Sequence, residues 1–306
     1  MSGVLVGFAI IGVVILIGYV VGRAGVLGEH APFVLSRIVF FVLSPALLFT
    51  VLADADVHQL FSSMLAVSTV SAVLSCLLFA GIALLVFRRQ VPEAVIGSVA
   101  SGYVNANNIG IPVAVYVLGN TAYSAPVILL QLLVLAPITL TILDITTSGK
   151  ASFGRIISRP LTNPLIIASV LGVVVSVTGL EIPQPVMEPF RIVGAAAVPL
   201  VLIAFGMSLH GQKLLAPGSG RRDILLASTI KLAVMPLIAW VFGRFVFGLD
   251  HDELFAAVVL AGLPTAQNIF VYAQRYERGV TLARDTVLIT TVGSVPVLVL
   301  VALLLK

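Results

Sequence analysis

The 306 residues are 59% hydrophobic and 10% charged, with a mean hydropathy of +1.17. Soluble domains carry about 25% charged residues, so a single water-soluble core is excluded and an integral membrane protein is expected. The formal charge of +4 sits in short stretches between apolar runs, which is no nucleic-acid signature, and the one cysteine, Cys76, excludes an internal disulfide.

The apolar runs are near-continuous, as helices of about 20 residues require, and lack the alternation of a membrane barrel. The first run, from Gly3 to about Val21, has neither a basic leader nor a clear cleavage site, so it is predicted to be a span and not a signal peptide. Ten spans are predicted, at 3–22, 33–52, 64–87, 94–117, 124–145, 162–180, 190–209, 224–247, 254–274 and 284–305. The longest hydrophilic connections lie around 146–161 and 210–223, and no soluble domain is expected.

Basic residues divide these connections into two sets. The loops after spans 1, 3, 5, 7 and 9 hold Arg23, Arg37, Arg88, Arg89, Lys150, Arg155, Arg159, Lys213, Arg221, Arg222, Arg275, Arg278 and Arg284. The opposite set has only Arg191, Arg244 and Lys306, and carries Asp54, Asp56, Glu181, Glu188, Asp250, Asp252 and Glu253. Positive charge stays in the cytoplasm, so both termini are expected on the outer side.

Span 4 contains the stretch NANNIGIP at 105–112, with three amides, a glycine and a proline where an unbroken helix in lipid would avoid them. It has a counterpart in the second half of the chain. With a shift of 154, Gly18 meets Gly172, Gly25 meets Gly179, Arg37-Ile38-Val39 meets Arg191-Ile192-Val193 and Pro45 meets Pro199. With a shift of 160, Glu93 meets Glu253, Gly102 meets Gly262, Ala106 meets Ala266, Asn108-Ile109 meets Asn268-Ile269 and Tyr116 meets Tyr276. Two five-span repeats follow, over 1–160 and 161–306. An odd span number makes the second copy enter from the opposite side, so the halves are expected to be inverted, a plan found among secondary transporters.

Under the same shift, AGLPTAQNIF at 261–270 in span 9 faces NANNIGIP. Two breaks near the bilayer midplane need protein or a wet cavity around them. Each break starts a new helix whose free N–H groups point to the centre, so two partly positive ends converge and favour an anion. The predicted binding residues are Asn105, Asn107, Asn108, Gly110, Pro112, Pro264, Thr265, Gln267 and Asn268. The competing expectation is that these amides only glue helices together.

The pattern resembles the auxin efflux carrier family, including bacterial permeases for malonate and related carboxylates. NANNIGIP, GLPTAQN at 262–268, SPALLF at 44–49 and VPLVLIAFGMSL at 198–209 carry the resemblance, which spans essentially all ten helices. It implies an all-α protein of ten transmembrane helices in the plasma membrane (a bacterial inner membrane), with spans 4 and 9 crossing at prolines that match Pro112 and Pro264. It implies a scaffold of spans 1, 2, 6 and 7 and a moving unit of spans 3–5 and 8–10. The two prolines do not align with each other under the repeat. The long cytoplasmic loop of the plant carriers is absent, so control through it is not carried over.

Other polar residues receive plainer expectations. Gln131 inside span 5 is a cavity-lining residue by resemblance, or an interhelical hydrogen-bond partner. Lys231 inside span 8 is expected to snorkel to the cytoplasmic interface, within reach of Asp144. Ser44, Pro45, Pro199, Met207 and Ser208 are assigned to the scaffold face, where the two prolines equally suit plain kinks. His30, His58, His210 and His251 lack metal-ligand spacing, no phosphate-binding loop exists, and no nucleophile–base pair or paired acids lie at depth. No metal, cofactor or enzymatic activity is therefore expected.

The expected function is alternating-access transport of small organic anions (malonate, malate or auxin-like acids). The alternative is a sodium- or proton-coupled symporter or exchanger of the bile-acid-symporter or sodium/proton-exchanger type. The amides at the breaks, with no carboxylate among them, disfavour proton exchange, while sodium held by carbonyls stays open. A homodimer and the coupling ion are left open by the residues.

Overall fold

A computed structural model describes residues 2–28, 30–54, 63–119, 121–148, 164–211, 215 and 220–305. Helices make up nearly all of them: α1 (Ser2–Ala24), α2 (Ala31–Ala53), α3 (Ser63–Val86), α4 (Val91–Gly102), α5 (106–118), α6 (125–148), α7 (Pro164–Thr178), α8 (Gln184–Ser208, with a turn at Ala196), α9 (Arg221–Phe245), α10 (His251–Ala261), α11 (Asn268–Tyr276) and α12 (Val280–Leu305). Six stretches are long and apolar enough to cross a membrane, namely α2, α3, Pro126–Thr147 within α6, α8, α9 and α12. The described residues contain no β-strand, and one isolated antiparallel bridge joins Val104 to Thr265.

The chain divides into two compact units. One unit comprises Val6–Leu60 and Ser152–Gln212, and so contains most of α1 together with α2, α7 and α8. Glycines set its packing. A Cβ at Gly18 would overlap the backbone of Ile203, and one at Gly206 would overlap that of Ile15, so α1 and α8 touch backbone to backbone. A Cβ at Gly172 would lie 2.8 Å from the Phe49 carbonyl oxygen, which brings α7 equally close to α2. Small residues permit such approach where lipid supplies no hydrophobic driving force. Val39, Leu43 and Ala197 form a buried cluster, with Leu47, Val193 and Leu200 packed against it.

The other unit comprises Met1–Leu5, Phe61–Ala151 and Lys213–Lys306. Here α3 to α6 and α9 to α12 pack together around the two interrupted helices. The first turn of α4 holds Pro92, whose missing N–H suits that place, and α10 is capped by Asp250, whose carboxylate accepts from the Glu253 N–H at 2.8 Å. Charged side chains make contacts at both ends of the unit. At one end Arg89 forks onto Asp223 at 2.6 and 3.2 Å, Tyr276 donates to Asp144 at 2.8 Å, and Asp285 accepts from Arg284 and from the Leu215 N–H. The hydrogen bond and charge of Asp223 hold the Arg89 guanidinium above its ordinary pKa. At the other end burial, then the carboxylates of Asp250, Asp252 and Glu253, push the Tyr123 phenol up.

Candidate functional site

Both interruptions are built from backbone that cannot stay helical. After Gly102, Tyr103 takes an extended conformation (φ −101°, ψ 104°), and the helix resumes at Ala106. After Ala261 the chain passes through Gly262 and Pro264, and resumes at Asn268. The two extended stretches pair with each other. The Asn105 N–H donates to the Pro264 carbonyl at 2.8 Å and the Ala266 N–H donates to the Tyr103 carbonyl at 3.0 Å, on either side of the Val104–Thr265 bridge. Backbone groups that lipid could not satisfy thereby satisfy one another.

Three neighbouring helices and one further contact between the broken helices complete the crossing. From α6, the Gln131 amide donates to the Val104 carbonyl at 2.8 Å. From α12, the Thr290 hydroxyl accepts from the Thr265 N–H at 3.1 Å. The Thr265 hydroxyl donates to the Ala100 carbonyl in the last turn of α4 at 2.6 Å. From α9, the Lys231 ammonium donates to the Ala261 carbonyl, the last residue of α10, at 2.6 Å. Two of these contacts use π-helical turns, Leu130–Leu135 with Gln131 and Ile230–Val234 with Lys231, and a third π turn, Ala106–Gly110, opens α5. The extra residue in such a turn re-aims side chains, which is why π turns gather at functional sites.

The N-terminal ends of α5 and α11 and the C-terminal ends of α4 and α10 thus meet in one place. Asn105, Gln131, Thr265 and Gln267 are buried there, while Asn107 and Asn268 are partly exposed. Gly110 is packed so that a Cβ would lie 3.1 Å from the Leu263 Cδ1. Asn108 and Pro112 lie in α5, their side chains outside the described residues. A narrow cleft beside the crossing is lined by Ser71, Gly102, Val104, Gln131, Met235 and Ala261, among others. Ser44 is buried at the start of the second half of α2 with Pro45 next to it, and Pro199 is exposed on α8; all three belong to the other unit.

Two expectations need correction. The crossing in the first half lies at Val104, and Pro112 sits farther on within the resumed helix, whereas Pro264 is at the crossing itself. Lys231 does not snorkel. It is 0% exposed, and its ammonium goes to Ala261 and, at 3.4 Å, to the Met235 sulfur, while Asp144 takes the Tyr276 hydroxyl. A helix-end carbonyl within reach gave the ammonium an acceptor at depth, so the stem had no need to stretch to the interface.

Sequence reasoning missed Tyr103 and Tyr272. They are buried at the crossing and hydrogen-bonded to each other, with Asn268 also bonded to Tyr103. The available signal was a phenol hydroxyl at depth beside each break, Tyr103 before the first and Tyr272 after the second, since a buried tyrosine needs a partner.

Comparison with known proteins places the chain among membrane transport proteins. The family model described as "Membrane transport protein" matches residues 4–153 and 150–302. The chain is similar to a "Putative malonate transporter" of Rhizobium meliloti, 28% identical over 290 residues, 92% of this chain and 89% of that protein. It is similar to an "Uncharacterized transporter" of Methanothermobacter thermautotrophicus, also 28% identical over 290 residues, 92% of each. It is similar to the "Probable auxin efflux carrier component 5b" of rice, 29% identical over 142 residues, 45% of this chain and 38% of that protein. With the match covering nearly all of its length, the chain belongs to the membrane transport protein family of auxin efflux carrier-like proteins.

Proposed function

We propose that this protein is a secondary carrier of small organic anions that works by alternating access, with the crossing as its substrate site. The observation that carries the reading is the convergence of two half-helix N-termini with neutral amide donors around one antiparallel bridge. Such a place offers partial positive charge and hydrogen bonds to a carboxylate. The name of the Rhizobium relative makes malonate the first ligand to test. The division into two units supports a fixed scaffold of α1, α2, α7 and α8, with the crossing carried by the unit that moves.

The inverted repeat draws support from side-chain detail. Gly18 packs on Ile203 and Gly172 packs on Phe49, and the same shift of 154 relates both pairs (172 minus 18, 203 minus 49). The clustering of Arg89 with Asp223 at one end of the unit, and of Tyr123 with Asp250 at the other, supports the alternating sidedness of the spans. Orientation with both termini outside rests on the basic loops. Proton exchange through a carboxylate finds little support. Among the described residues, the buried acids Asp223 and Asp285 are paired with Arg89 and Arg284, away from the bridge.

The test is malonate binding and counterflow in liposomes with Asn268→Ala and Asn108→Ala. A hydrogen bond to a charged group is worth about 1.5–3 kcal/mol, so each variant should lose roughly tenfold to a hundredfold in affinity. Asn→Asp adds a negative charge facing the anion and should be worse. Unchanged affinity in all four variants, with lowered melting temperatures, would mean that the amides serve packing alone.

A further inference from the structure

The crossing holds one buried lysine amine that the anion-carrier reading leaves unused. Lys231 is 0% exposed, and its ammonium contacts the Ala261 carbonyl at 2.6 Å and the Met235 sulfur at 3.4 Å. Among the described residues it makes no ion pair. A buried ammonium without a carboxylate is costly, so it keeps its proton only where the groups around it favour positive charge. Ala261 closes α10, where aligned peptide dipoles leave about half a negative charge on the end carbonyls. The π turn at Ile230–Val234 aims the side chain there.

Among the described residues, the first crossing helix meets no such amine. The position matching Lys231 under the shift of 160 is Ser71, which is buried and gives its hydroxyl to the Val67 carbonyl of its own helix. The end of α4 receives a neutral donor, the Thr265 hydroxyl on Ala100. The fixed charge is therefore a property of the second crossing helix. Carbonyls at the end of a broken helix are also what coordinates a small monovalent cation in ion-coupled carriers.

We propose that Lys231 is a tethered cation: its protonated amine, held by its own side chain, fills the place at the carbonyl end of α10 that a dissociable monovalent cation would otherwise occupy, so that the crossing stays assembled without a bound ion. Lys231 is then a positioning residue, acting through Ala261 and the stretch that leads to Thr265. Its consequence for transport, anion binding without a co-ion, rests on the carrier reading above.

The experiment uses the full chain, purified as wild type, K231A and K231M. Melting temperature is measured in sodium, potassium and choline chloride at one ionic strength, with and without n-propylammonium, and malonate binding is measured in parallel. The wild type should melt alike in all three salts. K231A leaves space for a small cation, and should melt several degrees lower in choline and recover most of the loss with sodium or propylammonium. K231M fills the space without charge, so it should not recover and should bind malonate about tenfold more weakly. A wild type that melts higher in sodium than in choline overturns the proposal, as does a K231A loss that neither cation restores, or no loss at all. Should K231A fail to fold, K231M decides: melting equal to that of the wild type overturns the proposal, and lowered melting insensitive to added cations upholds it. A wild type that binds no malonate counts against the carboxylate reading alone, because the melting measurements need no anionic ligand.

Discussion

The two broken helices make the same backbone turn with different chemistry. In the first, Tyr103 and Val104 are extended without a proline, Gln131 bonds the freed Val104 carbonyl, and the end of α4 receives the Thr265 hydroxyl. In the second, Pro264 sits at the crossing, Thr290 accepts the Thr265 N–H, and the end of α10 receives the Lys231 ammonium. Backbone in lipid must be satisfied whatever the side chains, so the pairing of the two stretches is the common element. The donors around it were free to diverge, and the charge ended on one side only.

The sharpest break in the comparison is predicted at Gly102 and Gly262, which match under the repeat. A Cβ at Gly102 would lie 2.5 Å from the Cys76 sulfur and 2.6 Å from the Ala72 carbonyl oxygen, and that backbone oxygen cannot move away freely. At Gly262 the nearest atom is the Leu298 Cδ2 at 3.1 Å, the tip of a flexible side chain. Gly102→Ala should therefore cost about 1–3 kcal/mol of stability through overpacking, and Gly262→Ala should be near neutral. Thermal melting of the two variants checks this, and equal losses would show that the first crossing helix is no more tightly held than the second.

Next come the two donors and acceptors from α6 and α12. Thr290→Val would leave the Thr265 N–H buried without its acceptor, at about 1–3 kcal/mol. Gln131→Leu would leave the Val104 carbonyl without the amide, and should cost less, about 1 kcal/mol, because a carbonyl with two lone pairs tolerates under-satisfaction better than an N–H does. Melting temperatures rank them. The reverse order would mean that Gln131 holds the cleft open and does more than cap one carbonyl.

What could be foreseen from the sequence follows from how local each signal is. NANNIGIP and GLPTAQN announce breaks because Gly, Pro and amides act on their own backbone, and both breaks lie where those motifs are. The first crossing lies away from Pro112, which the family resemblance pointed to, because the extended Val104 that makes it carries no local signal in the sequence. Lys231 was misjudged for the opposite reason. Its acceptor, Ala261, lies 30 residues away and is an unremarkable alanine whose carbonyl matters only because a helix ends there. Tyr103 and Tyr272 were lost among apolar neighbours, since only the fold brings their hydroxyls together.

The smallest expected effect, at Arg191, belongs to one of two ion pairs that the compositional split of the loops assigns to opposite sides. Arg191 and Asp54 meet at 3.1 Å with side chains 45% and 58% exposed. Water screens such a pair, so Arg191→Ala should change stability by about 0–1 kcal/mol, and less in high salt. Arg89 and Asp223 meet at 2.6 Å with exposures of 41% and 6%. Here the arginine reaches water while the carboxylate is buried in the first turn of α9, where the helix dipole helps to hold its charge. Removing Arg89 leaves that carboxylate without its bidentate partner. The cost should fall short of the roughly 3–5 kcal/mol of a fully buried pair, because water can take the space the arginine leaves, and about 1–2 kcal/mol is expected for Arg89→Ala. Asp223→Asn in the same background should recover part of that loss by removing the stranded charge. Melting of the single and double variants in low and high salt tests the contrast. A loss in Arg89→Ala that vanishes in high salt would show that Asp223 is as well solvated as Asp54, and that this end of the unit is wetter than its packing indicates.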